Sequence, residues 1–222
     1  MTPFSTILDQ AEGRAGGPAA LAKRLPKVKG PRALKAVADR DYLATISFRV
    51  FSAGLRADMV RTKWPAFEQV FLDFEPKRLR AMNDEQLEAL MADTRIIRHW
   101  GKIKATRANA AAMCDVAAES GGFGAYLAAW PGDRIVELWA DLAKRFSQMG
   151  GNSGPYVLRR SGKDTFVLTP DVIAALNRAG AFKGNPKGKG DRAKVQAVFN
   201  AWAVETGLPL AHLSMICALS GP

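Results

Sequence analysis

Cysteine and histidine are almost missing from this chain, which holds only Cys114, Cys217, His99 and His212 in 222 residues. The cysteines lie far apart in apolar helical contexts, so they imply neither a disulfide framework nor a metal cluster, and both read as buried thiols. No apolar run approaches the roughly 18 to 20 residues of a membrane span. The N-terminus lacks the apolar region of a signal peptide, so the expected setting is the cytoplasm. Acidic charge is also short, with 21 Asp+Glu against 32 Lys+Arg and a formal net charge of +11. That excess favours a polyanion, nucleic acid before an acidic metabolite, because neutralised phosphates release counterions. A hydrophobic content of 48% is ample for a core, and the length fits one large domain or two closely packed ones.

The most informative stretch runs from Met149 to Asp171. Gly150-Gly151-Asn152-Ser153-Gly154-Pro155 cannot continue a helix, since glycine supplies unusual backbone angles and proline removes a donor. A tight glycine-rich turn followed by a helix presents backbone N–H groups to an anion, here a DNA phosphate. Asp171 comes twenty residues after Gly151, directly after Pro170, where Val172, Ile173 and Leu176 begin an apolar period. It reads as a helix-start carboxylate. The residues alone leave a plainer reading open, with the glycines in a surface loop and Asp171 as an N-cap.

Elsewhere the chain reads as helices. Residues 1–40 predict short helices joined by turns, with a basic run from Lys23 to Lys35. From Asp39 or Asp41 as N-cap, Leu43, Ile46, Phe48, Val50 and Phe51 predict a largely buried central helix ending at Ser52-Ala53-Gly54-Leu55. Met59 to Phe71 predicts a second amphipathic helix, and Asn83 with Gln86 has the spacing of a capping box. A long helix is expected from Ile96 to about Ala118, with Arg98, Lys102, Lys104 and Arg107 on its polar side. Gly121-Gly122 predicts a turn. The glycine-rich basic stretch 183–194, with Lys187 and Lys189, is expected to be an exposed loop, and two apolar helices from Val195 and Leu208 should close the core.

The Met149–Ser153 turn and Asp171 together resemble the helix-hairpin-helix DNA glycosylases, in which such a hairpin precedes one essential aspartate by about this distance. The resemblance implies hairpin contacts to DNA at Gly150, Gly151, Asn152, Ser153 and Gly154, with Asp171 as the catalytic carboxylate. Ser153 stands where that superfamily prefers glycine. Pro155 falls near the position at which lyase-competent members carry a lysine nucleophile, which implies a glycosylase without lyase chemistry. A second block, Ile46 to Met113, resembles DNA-3-methyladenine glycosylase I through Ala53-Gly54-Leu55, Phe67 to Phe74-Glu75-Pro76, Ala81-Met82, and Ile96-Ile97-Arg98-His99 with Gly101-Lys102-Ile103. That family carries a zinc held by two cysteines and two histidines, and no such ligand spacing exists here, so no metal or other cofactor is expected. Aligned on Ala53-Gly54-Leu55, Arg49 replaces the family's base-recognising glutamate and Ala57 its pocket tryptophan.

The resemblance implies an all-α helix-hairpin-helix glycosylase architecture of two closely packed helical subdomains, one about 40–145 and the other from the flanking helices with 146–222. It implies a monomer that works on double-stranded DNA. Leu55 is either a wedge that fills the gap left by an extruded base or part of the core. Phe48, Arg49, Phe51, Trp64 and Trp100 are candidates for the base pocket, because base-flipping enzymes grip the extruded base by stacking and edge hydrogen bonds. Aromatics at helical spacing equally pack inward. The function expected is excision of a damaged, alkylated base by N-glycosidic hydrolysis, with a non-catalytic DNA-binding protein of the same fold as the alternative.

Overall fold

Apolar residues at helical spacing give helices wherever glycine and proline allow, and the computed structural model, which describes residues 2–221, shows no strand among them. In chain order the α-helices are α1 Phe4–Ala15, α2 Pro18–Ala22, α3 Pro31–Lys35, α4 Asp39–Ser52, α5 Ala57–Val70, α6 Pro76–Arg80 and α7 Asp84–Ala89. There follow α8 Trp100–Ser120, α9 Phe123–Ala129, α10 Ile135–Arg145, α11 Ser153–Ser161, α12 Pro170–Arg178, α13 Lys189–Thr206 and α14 Leu210–Leu219. Among the described residues no single helix is long and apolar enough to cross a membrane. The chain forms two compact units. One takes the chain up to Lys29, Trp130–Trp139 and everything from Gly162 on, and the other takes Gly30–Ala129 and Ala140–Ser161. The hairpin segment therefore clusters with the helices after Gly30. The reason is local: α11 packs against α4.

The unit containing both chain ends is built on α14, against which α1, α12 and α13 pack. Its core is an aromatic stack, with Phe166 and Phe199 nearly parallel at 4.4 Å and Trp202 edge-on to Phe199 at 5.5 Å. Trp139 closes it edge-on to Phe166, its indole N–H donating to Thr165 Oγ1 at 3.0 Å. Asp164 caps α14 by accepting the N–H groups of Leu210 and Ala211 at 3.1 and 2.8 Å.

The second unit is organised around α4, whose Tyr42, Leu43, Ile46, Val50 and Phe51 are all buried. Its N-terminus differs from expectation. Ala38 is the N-cap, while the Asp39 carboxylate reaches across to accept the N–H of Phe123 at 2.8 Å and starts α9 instead. Helix α3 lies so close to α9 that a Cβ on Gly124 would sit 2.2 Å from the Leu34 carbonyl oxygen, so only glycine fits there. Leu72, Asp73 and Phe74 make a left-handed turn with φ of 56°, 55° and 55°. Such a turn is unfavourable for side-chain-bearing residues, and burial of Phe71 and Phe74 holds it. The turn delivers the Phe74 ring flat onto Trp64 at 5.1 Å. The Asn83–Gln86 capping box forms in both directions, at 2.9 and 2.8 Å. The largest boundary shifts are at α8, which begins at Trp100, where the His99 carbonyl accepts the N–H groups of Lys102 and Ile103, and at α13, which begins at Lys189, six residues before the expected Val195.

Candidate DNA-binding hairpin and base cleft

Between α10 and α11 the chain makes the turn its glycines predict. Gly151 has φ 59° and Gln148, unusually for a non-glycine, φ 62°. Two side chains of α8's unit hold this backbone. Asn109, fully buried, accepts the N–H of Ser147 at 2.7 Å and donates to its carbonyl at 3.2 Å, so both ends of its amide are satisfied by one residue. Gln148 donates to the Gly101 carbonyl at 3.2 Å. Within the turn, Ser153 N–H bonds to Gly150 O and Gly154 N–H to Met149 O. Gly154 is buried against Leu142, and so its N–H, expected on DNA, is used inside the protein. Gly150 and Gly151 are exposed, and among the described residues their N–H groups have no protein partner. The exposed donors that the hairpin leaves open are therefore these two.

The end of α4 is fixed by a residue expected on a polar surface. Lys102 is only 8% exposed, and its Nζ donates to Phe51 O at 3.1 Å and Ala53 O at 2.7 Å. It caps orphan carbonyls at a helix C-terminus, as cations do, and its burial lowers the amine's pKa below the usual lysine value. Beyond this cap Gly54 takes φ 76° and Leu55 projects to solvent at 38% exposure. Leu55 is thus no core residue, which removes one of its two readings.

A cleft runs along α4 between α5 and α11. One part, about 220 Å³, is lined by residues including Phe48, Arg49, Ser52, Ala57, Tyr156 and Arg160. An adjoining part of about 240 Å³ shares Thr45, Phe48 and Arg160 and adds Arg61 and Trp64. Arg49 and Ala57, the two positions at which the chain departs from the resembled glutamate and tryptophan, both line it. Arg49 Nε donates to Ser153 Oγ at 3.3 Å and its guanidinium lies 4.9 Å from the Tyr156 ring centre. Arg160 sits 4.3 Å over the Phe48 ring, and burial, then the like charge of Arg61, lowers its pKa below the usual guanidinium value. Trp64 is braced between Phe48, edge-on at 5.0 Å, and the faces of Phe67 and Phe74. Phe51 is fully buried between Phe67 and Phe71 and offers the cleft no wall. Trp100 lies at the start of α8 with Lys104 over its ring at 5.1 Å and is not among the cleft's lining residues. Of the five pocket candidates the structure brings together Phe48, Arg49 and Trp64. Tyr156, Arg159 and Arg160 were missed, although a Tyr followed by paired arginines at helical spacing was the available signal.

In the other unit, Asp171 is exposed in the first turn of α12, but the cap is Thr169, whose Oγ1 accepts the N–H of Val172 at 3.2 Å. Lys187 and Lys189 are exposed. Lys189 is the first residue of α13, so of the two only Lys187 lies in the expected loop, which Asn177 pins by accepting the N–H and donating to the carbonyl of Gly184, at 2.6 and 3.0 Å. Lys163, the lysine nearest after the hairpin helix, is 7% exposed and donates to the Trp130 carbonyl. The four residues that could supply a cysteine–histidine zinc site do not fit one. His212 bonds the Pro26 carbonyl at 3.0 Å, the buried Cys217 thiol is pushed up to about 12, and among the described residues no three metal-ligating side chains cluster.

The methyladenine glycosylase family model matches residues 33–149, from α3 to the hairpin. Among solved structures, a 3-methyladenine DNA glycosylase I is 24% identical, with 65% of this chain and 86% of that one covered at a TM-score of 0.51. The Staphylococcus aureus 3-methyladenine DNA glycosylase I is 21% identical, with 56% and 77% covered at 0.50. The Methanocaldococcus jannaschii 8-oxoguanine glycosylase/lyase in complex with DNA is 12% identical and covers 96% of this chain and 95% of its own at 0.57. No curated protein matches the chain.

Proposed function

The chain belongs to the methyladenine glycosylase family, over residues 33–149, and from that premise we propose a monofunctional DNA glycosylase that flips a damaged base out of duplex DNA and hydrolyses its N-glycosidic bond. The observation that carries the reading is the clamped hairpin with two unpartnered, exposed N–H groups at Gly150 and Gly151, in the same unit as the exposed Leu55 and the aromatic–arginine cleft. The N–H groups fit a backbone phosphate. Leu55 fits the apolar wedge that fills a vacated stack, and Phe48, Trp64 and Tyr156 supply the stacking surface a flipped base needs. Asp171 takes the part of the carboxylate that stabilises the cationic sugar or positions water. A monomer on double-stranded DNA suffices for these contacts.

Lyase chemistry needs an amine that attacks the sugar aldehyde. Pro155 offers none, and the Lys163 amine is buried and bonded, its pKa lowered by that burial. The deciding experiment incubates the protein with duplexes bearing single lesions and scores strand breaks after hot alkali, with borohydride trapping in parallel. Alkali-labile sites without a trapped adduct are expected; a covalent adduct would contradict the monofunctional assignment. Arg49 favours a second reading, a non-catalytic DNA-binding protein of this fold, because it removes the acid that the family's base recognition uses. Duplex binding without base release on any lesion selects that reading.

A further inference from the structure

The cleft along α4 presents guanidinium groups from three helices. Arg49 comes from α4, Arg61 from α5, and Arg159 and Arg160 from α11, set around the rings of Phe48, Trp64 and Tyr156. No carboxylate lines either part. Of the acids on the surrounding helices, Asp58 is tied to Arg61 at 3.1 Å, Asp39 caps α9, Asp41 pairs loosely with Arg40 at 3.8 Å, and Glu68 of α5 lines neither part. Arg49 bonds Ser153 through Nε and keeps its outer guanidinium nitrogens without a protein partner among the described residues, and Ser52 has a buried hydroxyl without one. The Ser52 hydroxyl is a buried group waiting for a ligand, because buried polar groups are ordinarily satisfied, and the half-buried Arg49 adds donors open to the cleft. Purines alkylated at N3 or N7 carry a positive charge while still in DNA. A cleft walled by guanidiniums repels that charge, whereas arginine donates to carbonyl oxygens in the geometry it uses for guanine edges.

Resting on the glycosylase reading above, we propose that this cleft selects neutral bases carrying additional carbonyl oxygens, the products of deamination or oxidation, and discriminates against cationic alkylated bases. Phe48, Trp64 and Tyr156 stack the extruded ring, and Arg49 with Ser52 reads its carbonyl edge.

The test measures single-turnover base release and equilibrium binding on matched duplexes. One set bears uracil, hypoxanthine or 8-oxoguanine, and the other bears 3-methyladenine or 7-methylguanine. A preference of roughly tenfold or more for a member of the neutral set is expected in both readouts, the scale of one specific pocket contact. The individual lesions separate deamination from oxidation as the source. Arg49→Gln should abolish most of that preference, and Ala57→Glu, which adds a carboxylate to the cleft at an exposed position while Arg49 is kept, should move it towards the cationic set. Thermal melting keeps loss of fold apart from loss of selectivity, and Ala57→Glu carries the test if Arg49→Gln melts early. Faster release of the cationic bases by the wild type overturns this inference and leaves the glycosylase reading standing. Absence of release from every duplex overturns the glycosylase reading, and binding then decides the inference: equal or tighter binding of the cationic set sinks it.

Discussion

The side-chain amide of Asn109 grips the backbone of Ser147 at both ends, accepting its N–H at 2.7 Å and donating to its carbonyl at 3.2 Å. A buried residue of α8 thereby sets the entrance of the hairpin. Asn109→Ala leaves the Ser147 backbone groups to find water or stay unpaired, at about 1–3 kcal/mol. The mutant should melt earlier, and the Ser147 amide should exchange with solvent faster than the α8 amides. Duplex affinity should fall as well, because the Gly150 and Gly151 donors lose their fixed orientation. Unchanged exchange at Ser147 would show that the hairpin holds its shape without the clamp.

Leu55 projects beyond the Lys102-capped end of α4. Being exposed, its truncation to alanine should shift stability by no more than about 0.5 kcal/mol. If it is the wedge, Leu55→Ala slows release of stably paired lesions more than mismatched ones, since the latter cost less to unstack. Equal slowing of both, with an unchanged melt, would remove the wedge assignment.

The Cys217 thiol, buried in α14, has its pKa raised from 9.0 to about 12 mainly by desolvation. Between those values the folded state holds a proton that the unfolded state has lost, so stability is fully present below 9.0 and falls as pH rises towards 12. Urea midpoints at about pH 8 and about pH 10 should therefore differ more for wild type than for Cys217→Ala, whatever the cavity costs the mutant at both pH values. Equal differences would mean that the thiol ionises freely in the fold.

Lys187 stands exposed on a loop that Asn177 pins at Gly184, and the exposed Lys189 opens α13 directly after it. If the loop touches DNA, reversing either charge should flatten the log–log dependence of duplex affinity on salt by about 0.9 per lost phosphate contact. An unaltered slope takes the loop out of the interface.

What the sequence made legible follows from how local each signal is. The Asn83–Gln86 box, the break at Gly54, the Gly121-Gly122 turn and the hairpin depend on neighbouring residues alone, and all are present. Lys102 could not be placed this way. A lysine in a basic segment reads as solvated, and only the carbonyls of Phe51 and Ala53, some fifty residues away in sequence, make burial acceptable. Phe51 and Phe48 are three positions apart on α4, one in the core and one in the cleft, and periodicity cannot tell them apart. Glycine and basic residues at 183–194 argue for a loop throughout, yet Lys189 to Lys194 join α13 because the apolar face from Val195 onward propagates the helix backwards. The chemistry of the cleft was half legible. Arg49 was visible as a departure, while Arg160 over Phe48 needed the packing of α11 on α4.

Asp171 carries the catalytic assignment, and its setting makes the test clean. It is exposed, it lies in the first turn of α12, and Thr169 supplies the capping hydrogen bond to Val172. Removing its charge therefore costs the helix only its interaction with the dipole, about 0.3–1 kcal/mol. Asp171→Asn should fold, melt within a few degrees of wild type and bind duplex as well or slightly better, since one negative charge near the phosphates is gone. Base release should nonetheless drop by about 10²- to 10³-fold, the range seen when one preorganised electrostatic group is removed from a reacting centre. Thr169→Ala is the matching control: it loses the cap, about 1 kcal/mol, and should melt earlier while retaining most of the release rate. If Asp171→Asn releases base at the wild-type rate, the carboxylate is only a favourable charge at a helix start and the catalytic group lies elsewhere.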